Sequence, residues 1–393
     1  MNIVSGEASF VSWRESASKE RGDLVLTNAR IVSSCETFLG TLRLHDGVIA
    51  DVAQGRTHIS SALDLDGDYL LPGLVDVHTD HLEKQALPRA GMFWNALNAA
   101  ATHDVIVCAA GITTVFDSLV VGAVGNPERR ALLSHMIQGL DEARGLGLMR
   151  VDHLLHLRCD AREEGLFDLM APHLDHPQLR FVTVMDDSPA RDMDRYWRLE
   201  RHRKISDEEI ERRVVAAAEA PDHATVNRRR LVDVCRERAL PLASHDDTQA
   251  AHIAEAAAFG LTIAEFPISM EAAKAARAAG MDIIIGSPNM VAGRSHIGNV
   301  SARDLAAARL IDVVCSDYIP ASLLHALWLL QSDPFGFSLP RAIALGSRRP
   351  AELFGLGDRG EIAPDRRADL IRVREYKGAP VVRNVWVEGR PVL

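Results

Sequence analysis

Four residues combine a metal-binding type with a suggestive position: His78, Asp80, His245 and Asp317. His78 and His245 end the short apolar runs Leu74–His78 and Leu242–His245, Asp317 directly follows Val313–Ser316, and Asp80 lies two residues past His78. Imidazole nitrogen and carboxylate oxygen are the ligand atoms of zinc and similar divalent ions. Carboxylates crowded at one rim repel each other, so such a ring calls for a cation. Strand-end residues at i and i+2 point to the same side, so His78 and Asp80 can share one metal. Other run ends carry Asp117, Arg158-Cys-Asp160, Asp186-Asp187 and Ser287-Pro-Asn289, and Glu265 sits inside the apolar run Thr262–Phe266. A carboxylate in such a run is costly without a partner. Plainer readings fit several neighbours. Asp187 and Asp247 read as helix N-caps, His103 as a core or helix-facing histidine, and Arg228-Arg-Arg230 as a solvated helix start. His153 and His156 flank Leu154-Leu155, so at most one faces the site.

Eight apolar runs must position these groups: Leu74–His78, Thr113–Phe116, Leu154–Arg158, Phe181–Met185, Leu242–His245, Thr262–Phe266, Ile283–Ile285 and Val313–Ser316. Helical patterns lie between them. Ser206-Asp-Glu-Glu209 is a capping box opening a helix towards Ala220. Met270–Ala279 is Ala-rich and stops at Gly280, and Asn227–Ala239 has apolar residues at helical spacing. Strand and helix in alternation predict a parallel sheet, and eight units predict a closed (β/α)₈ barrel. A doubly wound sheet fits the local pattern almost as well. In a barrel, active residues sit at the C-terminal strand ends, which is where the list above falls.

A barrel takes about 250 residues, and the chain has 393. Asp23–Val32 and Thr41–Ala50, with a turn at Asp46-Gly47, read as antiparallel strands. Residues 359–373 and 381–393 return to short strands. The expected layout is an extension over 1–22, a small β domain from 23–71 and 358–393, and the barrel over 72–357. The net charge of -10 argues against a nucleic-acid partner. Five cysteines without a CxxC pair argue against a disulfide framework or a Cys₄ zinc site. No run approaches 18 apolar residues, and the first 20 lack a sustained apolar stretch, so neither a membrane partner nor a signal peptide is expected. A cytoplasmic setting is the default.

Leu70-Leu-Pro-Gly-Leu-Val-Asp-Val-His78 and Gly360-Glu-Ile-Ala-Pro-Asp-Arg-Arg-Ala-Asp-Leu370 resemble the opening and closing signatures of the amidohydrolase superfamily. The resemblance spans nearly the whole chain from about Asp23. It implies a metal-dependent hydrolase: a (β/α)₈ TIM barrel with a small β-sandwich domain made from both chain ends. Three departures are visible. The usual His-x-His is His78-Thr-Asp80, the strand-four lysine is absent from Val182–Asp187, and strand six offers Glu265 in place of histidine. Longer matches are similar to the phosphonate-metabolism branch of the carbon–phosphorus lyase pathway. They include His78–Lys84, Gly111–Asp117, His156–Asp160, Ala243–Asp247, Ala264–Pro267, Gly286–Val291, Gly293–Asn299 and Ser316–Ser322.

That resemblance implies hydrolysis of α-D-ribose 1-methylphosphonate 5-triphosphate to the 5-phosphate and pyrophosphate. The implied ligands are His78, Asp80, Asp160 and His245, with Glu265 as a fifth. Asp160 stands where the family usually has glutamate, on a shorter arm. Asp317 is the implied base. The implied ion is zinc, as one or two ions, with manganese or iron(II) as alternatives. A divalent metal lowers the pKa of water from about 15.7 towards 7. Phosphoryl transfer also needs fixed cations, and the candidates are Lys84, Arg89, Arg158, Arg294 and His296. The expected partner is a small phosphorylated sugar phosphonate, with self-association into a homo-oligomer left open. Two rivals are an amidohydrolase cleaving an amide or cyclic amide, and a binding protein of the same fold without activity.

Overall fold

The computed structural model describes residues 23–295 and 298–393. The expected extension over 1–22 and the candidate His296 lie outside the described residues. Two eight-stranded sheets organise the chain. The first opens with β1 (Leu24–Val32), β2 (Thr37–His45), β3 (Val48–Gln54), β4 (Leu63–Asp64) and β5 (Tyr69–Pro72). Asp46-Gly47 joins β2 to β3 with φ of 48° and 84°, the left-handed pair that a two-residue hairpin turn requires.

The second sheet contains β6 (Leu74–Thr79), β7 (Ile112–Val121), β8 (Asp152–Asp160), β9 (Leu179–Met185), β10 (Leu242–His245), β11 (Ile263–Glu265), β12 (Asp282–Gly286) and β13 (Val313–Cys315). They pair in parallel, in chain order. The chain then returns to the first sheet with β14 (Leu370–Tyr376), β15 (Ala379–Val387) and β16 (Arg390–Pro391). β14 pairs antiparallel with β5, and so joins the two chain ends in one sheet. Leu26, Ile31, Leu42, Leu70, Leu370 and Trp386 form its core.

The barrel is nearly closed. No ladder joins β6 to β13. Near the top of this seam, Asp317 N donates to His78 O at 2.9 Å and Asp80 N donates to Asp317 O at 3.0 Å. Lower down, Val75 N donates to Gly346 O and Val314 N to Leu345 O, both at 2.9 Å. The lower interior is apolar, with Phe354 packed against Phe116 and Phe181 at centroid distances of 4.8 and 4.7 Å.

All eight expected runs are strands, and the doubly wound alternative falls away because Asp317 bridges the first strand to the last. Strand two differs from expectation: β7 runs ten residues, all buried, and does not end at Asp117. Period-two alternation turns Phe116 and Ser118 inwards and Asp117 outwards, towards the helix Ala96–Ala109. Among the expected helices, Ser206 Oγ accepts Glu209 N at 3.3 Å to start Asp207–Glu219. The helix expected from Asn227 starts earlier, at His223, because Asp222 caps it. Four of the five cysteines are buried, and those of the described residues are all free thiols. Among the described residues, no helix is long and apolar enough to cross a membrane.

Candidate active site

Glu265 ends β11 with no exposed surface. Its Oε1 accepts from His78 Nδ1 at 2.6 Å and its Oε2 from His245 Nδ1 at 2.8 Å. The two rings lie within 10° of parallel, with centroids 6.2 Å apart. Phe266 packs edge-on against them at 4.9 and 5.4 Å. With Nδ1 committed as donor, a neutral ring offers Nε2 as an acceptor. His78 Nε2 is buried without a hydrogen-bond partner, and so is Asp80 Oδ1. Buried acceptors left unpaired are costly, and unpaired His and Asp acceptors at one rim fit a cation.

Charges in this cluster follow from burial and pairing. Burial holds His78 below the ordinary imidazole range, against the pull of Glu265. Burial also works to lower His245, but Asp246 and Glu265 outweigh it and the net shift is upward. Burial would raise Glu265, yet His78 and His156 hold it well below the carboxylate range. Asp317 is raised to about 7, first by burial and then by Asp80, with Arg158 opposing. The Arg158 guanidinium stands between the groups, 3.4 Å from His245 Nε2 and 3.8 Å from Asp80 Oδ2. A cavity of about 710 Å³ opens over Arg158, His245, Asp246, Arg294, Asp317 and Tyr318, with Phe266, Ile285 and Leu305 as apolar wall.

Three strand ends share one backbone device. Asp246, Phe266 and Asp317 have φ of 55°, 55° and 54°. Each still donates its N–H to the neighbouring strand: to Glu265 O, Ile284 O and His78 O, all at 2.9 Å. Left-handed φ is unfavourable for such residues, Phe above all, and clusters at functional sites. Here it lets the ladder run one residue further before the loop turns away.

Among the described residues, two buried groups bring three metal-ligating side chains together: His78, His156 and Glu265, and separately His103, Asp117 and His153. Their hydrogen bonding separates them. His103 Nε2 and His153 Nδ1 bond the two oxygens of Asp117 at 2.7 and 2.8 Å, and His153 Nε2 lies 3.4 Å from Asp104. None of these atoms is left without a partner. Burial lowers His153, but Asp117 and Asp104 lift it to about 9, so this second group is a closed set of charges. His156 faces the barrel interior, yet Ser118 and Thr183 hydroxyls occupy its two nitrogens at 2.9 and 2.7 Å. Of His153 and His156, one therefore faces the site, as expected. Alternation from Arg158 along β8 would have selected His156.

The other candidates spread out. Asp160 is not brought to the imidazoles. Arg162 takes both its oxygens at 2.8 Å, and the backbone N–H groups of Val124 and Arg162 add two more bonds. Lys84 is exposed and donates to Tyr318 O at 3.0 Å, beside Asp317. Arg89 is exposed on the loop after the helix His81–Ala86. Arg294 lines the cavity with Arg158. Asp187 and Asp247 are not N-caps; they pair with Arg195 and Arg191. Arg228 is not solvated; it pairs with Asp186 and Glu255. Sequence reasoning missed Arg162, Arg191 and Arg195, which reach their partners from a loop past β8, a further loop and the helix Met193–His202.

No family model matches the chain. It is 35% identical over 379 residues to the alpha-D-ribose 1-methylphosphonate 5-triphosphate diphosphatase of Escherichia coli (strain K12), covering 94% of this chain and 100% of that protein. Among solved structures, it resembles a 5-methylcytosine deaminase from Klebsiella pneumoniae with a TM-score of 0.64 at 16% identity, over 94% of this chain and 98% of that one. It also resembles a dihydropyrimidinase from Brevibacillus agri with a TM-score of 0.63 at 13% identity, over 95% of each chain. The last two likenesses concern the fold.

Proposed function

Because the chain belongs to the family of that diphosphatase, within the amidohydrolase superfamily, we propose that it hydrolyses the phosphoanhydride of α-D-ribose 1-methylphosphonate 5-triphosphate, giving the 5-phosphate and pyrophosphate. The full-length likeness to the diphosphatase carries this reading. The deaminase and dihydropyrimidinase likenesses are too distant in sequence to favour cleavage of an amide or ring.

His78 Nε2 and Asp80, each with an unpaired buried acceptor, are the proposed holders of a divalent ion, joined by His245 Nε2 once the Arg158 guanidinium that donates to it at 3.4 Å moves aside, and Glu265 orients both rings. Two imidazoles with carboxylate suit zinc. Asp160 is left out, since Arg162 occupies its oxygens. When bound, such an ion supplies Lewis acidity and makes water a stronger acid.

The chain's own groups do the rest. Asp317, raised to about 7, can accept the proton of the attacking water near neutrality. Its backbone is pinned to His78 and Asp80, so its carboxylate is fixed relative to them. Arg158 and Arg294 line the cavity and offset the charge of the triphosphate. Lys84 is exposed but sits on Tyr318 at the edge of the cavity, within reach of the substrate's charge, whereas Arg89 would contribute at most to long-range attraction.

The test supplies zinc-loaded enzyme with the ribose triphosphate and reads phosphate and pyrophosphate separately. Equimolar pyrophosphate and 5-phosphate are expected, and Asp317→Asn should cut turnover by roughly 10²–10⁴ while retaining metal. Release of phosphate alone, or a normal rate in the variant, overturns the assignment.

A further inference from the structure

The N-terminal mouth of the barrel carries a second polar cavity, of about 280 Å³, lined in part by Arg144, Asp152, Gln178, Arg180 and Arg359. Asp152 and Arg180 stand at the starts of β8 and β9, whereas His245, Glu265 and Asp317 stand at strand ends. The cavity is therefore on the opposite side of the barrel from the candidate active site.

Its three guanidinium groups are not equivalent. Arg359 is fully engaged: Nε and Nη2 bond Asp358, and Nη1 bonds Thr114 and Asp152. Arg144 is anchored through Nη1 to Asp141 at 2.6 Å and Nη2 to His153 O at 3.0 Å, leaving Nε. Arg180 is the unusual one. Its Nη1 donates to Pro177 O and Leu179 O, both at 2.8 Å. Among the described residues, no carboxylate pairs with it, and its Nε and Nη2 make no hydrogen bond to the protein. The Gln178 side-chain amide is likewise uncommitted. The one carboxylate of the lining, Asp152, is already shared by Arg359 and Arg367 at 2.6 Å each.

A guanidinium held at one edge by carbonyls presents its other N–H groups in a fixed fork, the geometry that matches an oxyanion. The chain as a whole is acidic, at -10, and Arg144 and Arg359 are offset by carboxylates, so Arg180 is the cation of this lining that keeps its charge uncompensated. The volume lies just below the range of about 300–1,000 Å³ of drug-sized sites, which limits the ligand to a small one.

We propose that this cavity is a binding site for a small phosphate-type oxyanion, such as inorganic phosphate or pyrophosphate, held by Arg180 and Arg144 with Gln178. The site is independent of the catalytic reading, because none of its residues lines the active-site cavity.

Equilibrium dialysis of the full chain with labelled inorganic phosphate, and separately with pyrophosphate, tests it. Low ionic strength is used, since salt weakens charge attraction. Arg180→Gln should weaken binding by about tenfold or more at one class of site, with turnover unchanged and Arg180→Lys in between. Gln178→Ala should weaken it less, and serves if the arginine variant does not fold. Unchanged binding in both Arg180→Gln and Gln178→Ala, or a phosphate site removed only by Arg294→Gln, overturns the proposal.

Discussion

Glu265 accepts a hydrogen bond from each of two imidazoles, so its charge determines which nitrogen each ring presents. Glutamine keeps the shape but offers one acceptor and one donor. One ring must then change tautomer and turn its Nε2 into an N–H. Glu265→Gln should therefore lower metal affinity about 10–100-fold with the fold intact. Competition against a chelating dye measures this, and wild-type affinity would show that Glu265 does not orient the pair. At this scale residue type and strand end coincide at His78, Asp80, His245 and Asp317, and the structure brings these four to one rim. Asp160 reads as a ligand from its place at the rim, whereas in the structure Arg162, two residues on and past the strand end, takes its oxygens. Contacts made where the backbone leaves regular structure have no period to read.

Asp117 locks the helix Ala96–Ala109 to β7 and β8 through His103 and His153. The pH dependence has two limbs. Burial works to lower His153, but its carboxylates raise it from 6.5 to about 9, so its contribution is full below pH 6.5 and is lost as pH rises towards about 9. Burial would raise Asp117, but the two histidines hold it below 3.8, so its contribution is present above that pH and is lost in acid. Asp117→Asn removes the nearer of the two carboxylates that face the buried His153 charge. It should cost about 3–5 kcal/mol near pH 6 and flatten the profile between pH 6.5 and 9. Denaturant unfolding at several pH values checks this, and equal stability at pH 6 would contradict it. The eight strands were legible because buried parallel strands read as apolar runs. The length of β7 was not, since an aspartate inside a buried strand looks like a strand end until its two imidazoles, one from a helix and one from β8, are known.

Both chain ends build one sheet, and this too was legible: alternating strand patterns flank the eight runs on either side. The barrel seam was not, because it is closed by loop backbone and not by a ladder. That seam gives the molecule a further property. β6 carries His78 and leads directly into Asp80, and it is bound to the ring by a ladder on one side only. A cation shared by those side chains and His245 on β10 would tie β6 across the barrel, as a clasp does. Ligands that favour the closed ring stabilise it by mass action, by about 2.7 kcal/mol at a hundredfold excess over Kd. Thermal melting then becomes a gauge of occupancy. Chelator-stripped protein should melt several degrees lower than zinc-loaded protein, recover on adding zinc, and show a smaller gap in Glu265→Gln. Identical melting curves with and without the ion would mean that the ring closes without the clasp.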